Sequence, residues 1–110
     1  MHMNDILILY YSKNDSTKKM ARTIARGIES SNLASSSIRT VHSDSYKESD
    51  DILVTKEDLK KCSGMIIGSP THFGNMAAPL KAFFDSTTDE WFNNTLESKL
   101  GGVFTSTSSM

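Results

Sequence analysis

Cysteine is almost absent from this 110-residue sequence, in which Cys62 is the only one. A single cysteine cannot form a disulfide within its own chain, so a disulfide framework is excluded and we expect a cytoplasmic protein. The sequence also lacks any apolar run near the roughly 18 residues of a membrane-spanning helix. Its first residues have neither the basic segment nor the small-residue cleavage site of a signal peptide, and we expect no membrane insertion.

An excess of charge of either sign is missing as well. Lys and Arg together number 12, Asp and Glu number 13, and the formal net charge is −1 at pH 7. Because these charges are spread along the chain, we expect no nucleic-acid partner. The glycine-rich fingerprints GxGxxG and GxxxxGK(S/T) are also absent, which excludes the commonest phosphate loops for dinucleotides and nucleoside triphosphates.

Hydrophobic periodicity divides the chain into alternating strands and helices. An unbroken apolar run from Ile6 to Tyr11 predicts a strand buried on both faces of a parallel sheet. Three- and four-residue spacing predicts an amphipathic helix from about Ser16 to Ser30. Further strands are predicted in SSIRTVH, GMIIGSP and GGVFTST, and further helices in TKEDLKK, where Thr55 and Asp58 approach a capping box, and in AAPLKAFFDS.

This alternation predicts an α/β fold, in which a doubly wound parallel sheet has helices on both faces. Length and the absence of a linker predict one domain over residues 1–110. The polar stretch from Ser43 to Asp51 is predicted to be a loop without visible chemistry. Ligands of such sheets bind outside the carboxyl ends of the strands, so the loops that follow the strands are the places to search.

The first of these loops is SKNDST, from Ser12 to Thr17. It offers hydroxyl groups and the unpaired N–H groups of a helix start, which suit a phosphate. Ordinary N-cap and turn roles explain the same residues more simply, and the negative charge of Asp15 counts against a phosphate; both interpretations stay open.

The second loop lies in SPTHFGNM, where Pro70 and Gly74 shape the chain. Phe73 could lie beside a planar heteroaromatic ring, or it could be a core residue next to a solvated His72. The third loop is the Ser/Thr run over residues 105–109. Three neighbouring loops of this chemistry suggest one ligand with a phosphate and a planar ring, a description that flavin mononucleotide (FMN) fits.

A resemblance to a known family is carried by ILILYYS, MARTIARGI, IIGSPTHFGNMAAPLKAFFDST, Trp91 and KLGGVFTST. These segments resemble the WrbA family of flavodoxin-like NAD(P)H:quinone oxidoreductases, over nearly the whole chain. The resemblance implies a flavodoxin-like sheet of order 2-1-3-4-5, FMN as cofactor, NADH or NADPH as electron donor, a quinone substrate and a homo-oligomer, dimer or tetramer. Only four strands are visible, so we expect a C-terminally truncated form that lacks the last strand and helix.

The resemblance also implies site residues. The FMN-binding residues would be Ser12, Lys13, Asn14, Asp15, Ser16, Thr17, Pro70, Thr71, His72, Phe73, Gly74, Ser106, Thr107, Ser108 and Ser109. Trp91 matches the aromatic residue that walls the family's substrate pocket, with a half-buried structural tryptophan as the alternative. Asn14 falls at the position associated with nicotinamide binding, where the family often has tyrosine, and Asp15 falls where it often has glycine. No catalytic acid or base and no metal ligand is implied.

The implied reaction is a two-electron ping-pong transfer, in which NAD(P)H delivers a hydride to FMN and leaves before the quinone binds. Two other classes stay open: a flavodoxin-type single-electron carrier, and a non-catalytic flavodoxin-like fragment or interaction module. Uptake of FMN separates the last class from the other two, and quinone-dependent oxidation of NAD(P)H separates the enzyme from the carrier.

Overall fold

Strands and helices alternate along the chain in the predicted sequence of elements. The structure is a computed structural model that describes residues 4–11, 16–41, 51–70, 78–86 and 100–106. Its elements are β1 (Asn4–Tyr10), α1 (Ser16–Ser30), β2 (Ala34–Thr40), α2 (Lys56–Lys61), β3 (Gly64–Pro70), α3 (Ala78–Ser86) and β4 (Leu100–Ser106). The bounds of α1 are those that its periodicity predicts, whereas β2 begins and ends two residues earlier than the predicted segment.

The four strands form one parallel sheet in the order β2-β1-β3-β4. Tyr10 at the end of β1 lies opposite Thr40 of β2 on one side and Gly68 of β3 on the other. At the next pair of strands, Pro70 lies opposite Ser106. The predicted order 2-1-3-4 is therefore confirmed, and within the described ranges β4 is paired with β3 alone.

β1 is the central strand, and its side chains point alternately to the two faces of the sheet. Leu7 and Leu9 pack on one face with residues of α2 and α3, and Ile8 and Tyr10 pack on the other face with residues of α1. All four side chains are at most 1% exposed. Helices therefore cover both faces, and the unbroken apolar run of β1 is explained because neither of its sides meets solvent.

The edge strand β2 contains three consecutive serines that bond to acidic side chains. The Asp5 carboxylate accepts hydrogen bonds from Ser35 Oγ at 2.9 Å and from Ser37 Oγ at 3.0 Å. On the other face, Glu29 Oε1 accepts from the backbone N of Ser36 at 2.8 Å and from its Oγ at 2.9 Å. These bonds satisfy the serine hydroxyls within the sheet, which explains why β2 begins at Ala34.

Local sequence chemistry sets the starts of the two other helices. Thr55 caps α2, because its Oγ1 accepts from Asp58 N at 3.3 Å while Asp58 Oδ2 accepts from Thr55 N at 2.9 Å. The predicted capping box is thus confirmed. Pro79 is the second residue of α3, where a missing N–H costs no intrahelical bond.

Candidate functional site

The carboxyl ends of the strands meet at one edge of the sheet, because all pairs are parallel. From β1 the chain moves outward to β2 and then returns to the opposite side of β1 as β3. Strand order therefore reverses between β1 and β3, and the helices that follow them lie on opposite faces. Open α/β sheets bind their ligands in the crevice at such a switch point.

Two hydrogen bonds fix the backbone at the end of β1. Thr40 Oγ1 of β2 donates to the carbonyl oxygen of Tyr10 at 2.9 Å, and the backbone N of Tyr11 donates to the carbonyl oxygen of Gly68 at 3.1 Å. The chain is thus held from both neighbouring strands at the point where it leaves the sheet towards α1. The backbone of Tyr10 and Tyr11 is therefore fixed on both sides.

The start of α1 has the electrostatic character of an anion site. Its first turn contains no acidic residue but does contain Lys18 and Lys19. Ser16, the first helical residue, is exposed, whereas Thr17 is 1% exposed. The first N–H groups of a helix have no intrahelical acceptor, and they carry the positive end of the helix dipole. This helix start therefore suits a phosphate in charge and in hydrogen-bonding capacity.

An acidic residue that the sequence did not single out lies next to this region. Asp51 accepts a hydrogen bond from the Tyr10 hydroxyl through Oδ2 and one from Arg22 Nη2 through Oδ1 at 2.9 Å. The sequence placed it at the end of a polar loop without visible chemistry. A buried tyrosine hydroxyl calls for a hydrogen-bond partner, but no local pattern identifies an aspartate 41 positions away.

Four of the predicted site residues fall within the described ranges. Ser16 and Thr17 begin α1, Pro70 ends β3 and Ser106 ends β4. Since β1 to β4 are parallel and α1 follows β1, the fold brings these positions to one edge of the sheet. The others lie outside the described residues: Ser12, Lys13, Asn14, Asp15, Thr71, His72, Phe73, Gly74, Trp91, Thr107, Ser108 and Ser109.

A protein-family model identifies the family to which this flavodoxin-like chain belongs. The model of the family described as NADPH-dependent FMN reductase matches residues 5–110. The chain belongs to this family. The description of the NADPH-dependent FMN reductase family names the cofactor and an electron donor that the WrbA resemblance implied.

Curated relatives share about a third of their aligned residues with this member of the family. The chain is 34% identical over 116 residues to NAD(P)H dehydrogenase (quinone) 3 of Rhizobium meliloti, covering 97% of this chain and 55% of the relative. It is 37% identical over 117 residues to NAD(P)H dehydrogenase (quinone) of Paracoccus denitrificans, covering 97% and 56%. The chain therefore spans about half the length of these relatives.

Solved structures show the same fold. A flavodoxin, WrbA-like protein from Agrobacterium tumefaciens superposes with a TM-score of 0.77 at 23% identity, covering 97% of this chain and 62% of that one. A flavodoxin from the domain Archaea superposes with a TM-score of 0.69 at 26% identity, covering 96% and 64%. The flavodoxin-like fold that the sequence predicts is thus confirmed.

Two further observations concern metal binding and membrane-spanning helices. In the parts of the chain that the structure describes, no group of three or more His, Cys, Asp or Glu residues is placed to hold a metal ion. No helix in those parts is both long enough and apolar enough to cross a membrane.

Proposed function

We propose that this chain forms the FMN-binding part of an NAD(P)H:quinone oxidoreductase. In the overall reaction, NAD(P)H, one proton and a quinone yield NAD(P)⁺ and a hydroquinone, so both electrons that leave the nicotinamide reach the quinone. FMN, when bound, supplies the redox chemistry, and the protein binds and orients it. One observation carries the proposal: a helix whose first turn contains Lys18 and Lys19 and no acidic residue begins at the switch point of a flavodoxin-like sheet.

The described residues fit the phosphate of FMN at this place. The first N–H groups of α1, the exposed hydroxyl of Ser16 and the nearby Lys18 and Lys19 favour a negatively charged group. We propose that the segment 12–17 binds this phosphate through backbone N–H groups and hydroxyls.

Two further segments would hold the flavin ring. We propose that residues 70–74 lie beside the ring and that residues 106–109 supply polar contacts, since β3 and β4 end at Pro70 and Ser106 on the same edge of the sheet as the start of α1. Backbone N–H groups close to the ring would stabilise negative charge on the reduced flavin. Trp91 would wall the quinone pocket, and Asn14 would contact the nicotinamide.

NAD(P)H and the quinone would bind one after the other in the same crevice. One switch point between β1 and β3 offers one site for the planar substrates, which supports a ping-pong order. Parallel lines in double-reciprocal plots, with NAD(P)H and quinone both varied, are the expected result. Intersecting lines would show instead that both substrates bind before either product leaves.

We also propose a cytoplasmic homo-oligomer, either a dimer or a tetramer. The single cysteine supports a reducing compartment. The resemblance to the WrbA family supports the homo-oligomer. Light scattering after size-exclusion chromatography measures the assembly directly, and a monomer would contradict this part of the proposal.

The deciding experiment is titration of the 110-residue chain with FMN, followed by visible absorbance and flavin fluorescence. We expect one FMN bound per chain, and then oxidation of NADH or NADPH that depends on added benzoquinone. A chain that takes up no FMN would overturn the proposal. Uptake of FMN without quinone-dependent turnover would favour a single-electron carrier.

A further inference from the structure

A single carboxylate joins the end of β1 to the second turn of α1. Tyr10, the last residue of β1, is 1% exposed on the face that α1 covers, and its hydroxyl donates to Asp51 Oδ2. Arg22 Nη2 donates to the other oxygen, Asp51 Oδ1, at 2.9 Å. The Asp51 side chain is only 12% exposed, against 43% for Arg22. Each oxygen of this carboxylate thus accepts from a different element of the fold.

The two donors enclose the part of the chain that precedes and begins α1. Tyr10 lies six residues before Ser16, and Arg22 lies six residues after it. Six helical residues rise about 9 Å along the axis, so Arg22 is less than two turns from the helix start. Asp51 therefore ties the end of β1 to the second turn of α1 and so connects the sheet to the start of this helix.

The backbone that follows Asp51 is hydrogen-bonded to the end of β2. Its neighbour Ile52 accepts a hydrogen bond from Thr40 N at 3.0 Å, and Val54 N donates to the carbonyl oxygen of Thr40 at 2.8 Å. Residue 53 thereby makes a parallel bridge to the end of β2. Thr40 in turn donates through Oγ1 to the carbonyl oxygen of Tyr10. The carboxylate is thus fixed relative to the sheet, and Arg22 is fixed relative to the carboxylate.

We propose that Asp51 is a positioning residue for phosphate recognition, which sets the height of the α1 start above the carboxyl end of β1. This inference rests on the proposed binding of FMN by the segment 12–17. Hydrogen bonds weaken steeply when the donor angle falls towards about 120°, so a shift of the α1 start would weaken its bonds to a phosphate. Loss of the Asp51 carboxylate therefore weakens the binding of a flavin that carries a phosphate more than that of a flavin that lacks one.

The test compares FMN with riboflavin, which has the same ring and no phosphate. For the wild-type chain we expect a lower dissociation constant for FMN than for riboflavin. In Asp51→Ala the ratio of the two constants should shrink about tenfold, which corresponds to about one lost charge-assisted hydrogen bond. The riboflavin constant itself should stay within about twofold of the wild-type value.

Asp58→Ala is the matched control. Asp58 is also a largely buried aspartate, with a side chain 17% exposed and Nε of Arg39 at 3.4 Å, but it belongs to α2. Its removal should lower the stability of the fold and leave the ratio of the two flavin constants unchanged. Tyr10→Phe and Arg22→Met each remove one donor, so they should shrink the ratio in smaller steps, and they keep the test available if Asp51→Ala does not fold.

The outcomes distinguish this inference from the function on which it rests. A wild-type chain that binds neither flavin contradicts the proposed function. A wild-type chain that prefers FMN, together with Asp51 and Arg22 variants that keep the same preference, overturns the role of Asp51 alone. Equal weakening of both flavins, or the same change of ratio in Asp58→Ala, would show a general effect on folding and would also overturn it.

Discussion

The ring of Phe104 in β4 occupies the space above Gly68 in β3, where any other residue would place its Cβ. The two residues are paired in register, and a Cβ built on Gly68 would overlap the Cζ, Cε1 and Cε2 atoms of the ring. Phe104 packs on the α1 face, against the cluster that contains Tyr10. Gly68 thus allows an aromatic ring from the outer strand to lie across the sheet close to its carboxyl edge.

Replacement of Gly68 by alanine should therefore destabilise the fold, by about 1–3 kcal/mol, because the new methyl group and the Phe104 ring cannot share this space. The free energy of unfolding in urea measures the effect. Gly102→Ala is the control: a Cβ there meets only Ile66 Cγ1, at 3.9 Å. A Gly68→Ala chain as stable as Gly102→Ala would show that the Phe104 ring moves aside freely.

For Gly27 in α1 we expect the opposite effect of alanine on the stability of the fold. Gly27 is an exposed residue in the middle of the helix, and a Cβ at this position would meet no atom within 4 Å apart from its chain neighbours and the nearby helix backbone. Gly27→Ala should raise the free energy of unfolding by about 0.5–1 kcal/mol, because alanine restricts the unfolded chain and favours the helix. Urea unfolding followed by far-ultraviolet circular dichroism measures it, and an unchanged or lower midpoint would contradict the assignment of an unhindered helical site.

The serine bonds of β2 can be tested through Asp5. Asp5→Ala removes the acceptor for Ser35 and Ser37 and should cost about 1–2 kcal/mol. Because Asp5 lies in the amino-terminal half of β1, away from the carboxyl edge, flavin affinity should not change. A double-mutant cycle with Ser37→Ala gives the coupling energy, and strictly additive effects would mean that the Asp5–Ser37 bond contributes nothing.

Charge at the start of α1 should act in opposite directions on folding and on binding. Ser16→Glu places a negative charge where the helix dipole is positive, so it should slightly stabilise the chain without flavin. The same charge repels a phosphate, and FMN binding should weaken roughly tenfold while riboflavin binding changes little. Ser30→Glu at the other end of the helix is the control, for which neither flavin constant should change. Stronger FMN binding in Ser16→Glu would place the phosphate elsewhere.

Local patterns predicted the elements of this fold well, and each for an identifiable reason. The apolar run of β1 marks a strand buried on both faces, the spacing in α1 marks a single apolar stripe, and Thr55 with Asp58 marks a helix start. The bounds of β2 were predicted two residues late, because its serines find acceptors on Asp5 and Glu29. A hydrophobic pattern contains no information about such hydrogen bonds.

Site prediction depended on position in the fold and on family resemblance more than on local pattern. The alternation of elements places every strand end at one edge, so the loops that could bind a ligand follow from the order of the elements. Family membership then supports FMN as that ligand. Asp51 was missed because its donors Tyr10 and Arg22 lie far from it in the sequence.

The sequence by itself determined the class of fold through its periodicity, and it determined the family through its motifs, whose resemblance to known flavodoxin-like proteins implied the strand order. Only the tertiary structure decided that the Phe104 ring lies over Gly68 and that one Asp51 carboxylate bonds to both Tyr10 and Arg22. The physical reason is the short range of the interactions involved. Hydrogen bonds and close packing act over a few ångströms in space, and residues 29 to 41 positions apart come within that distance only when the sheet and its helices have formed.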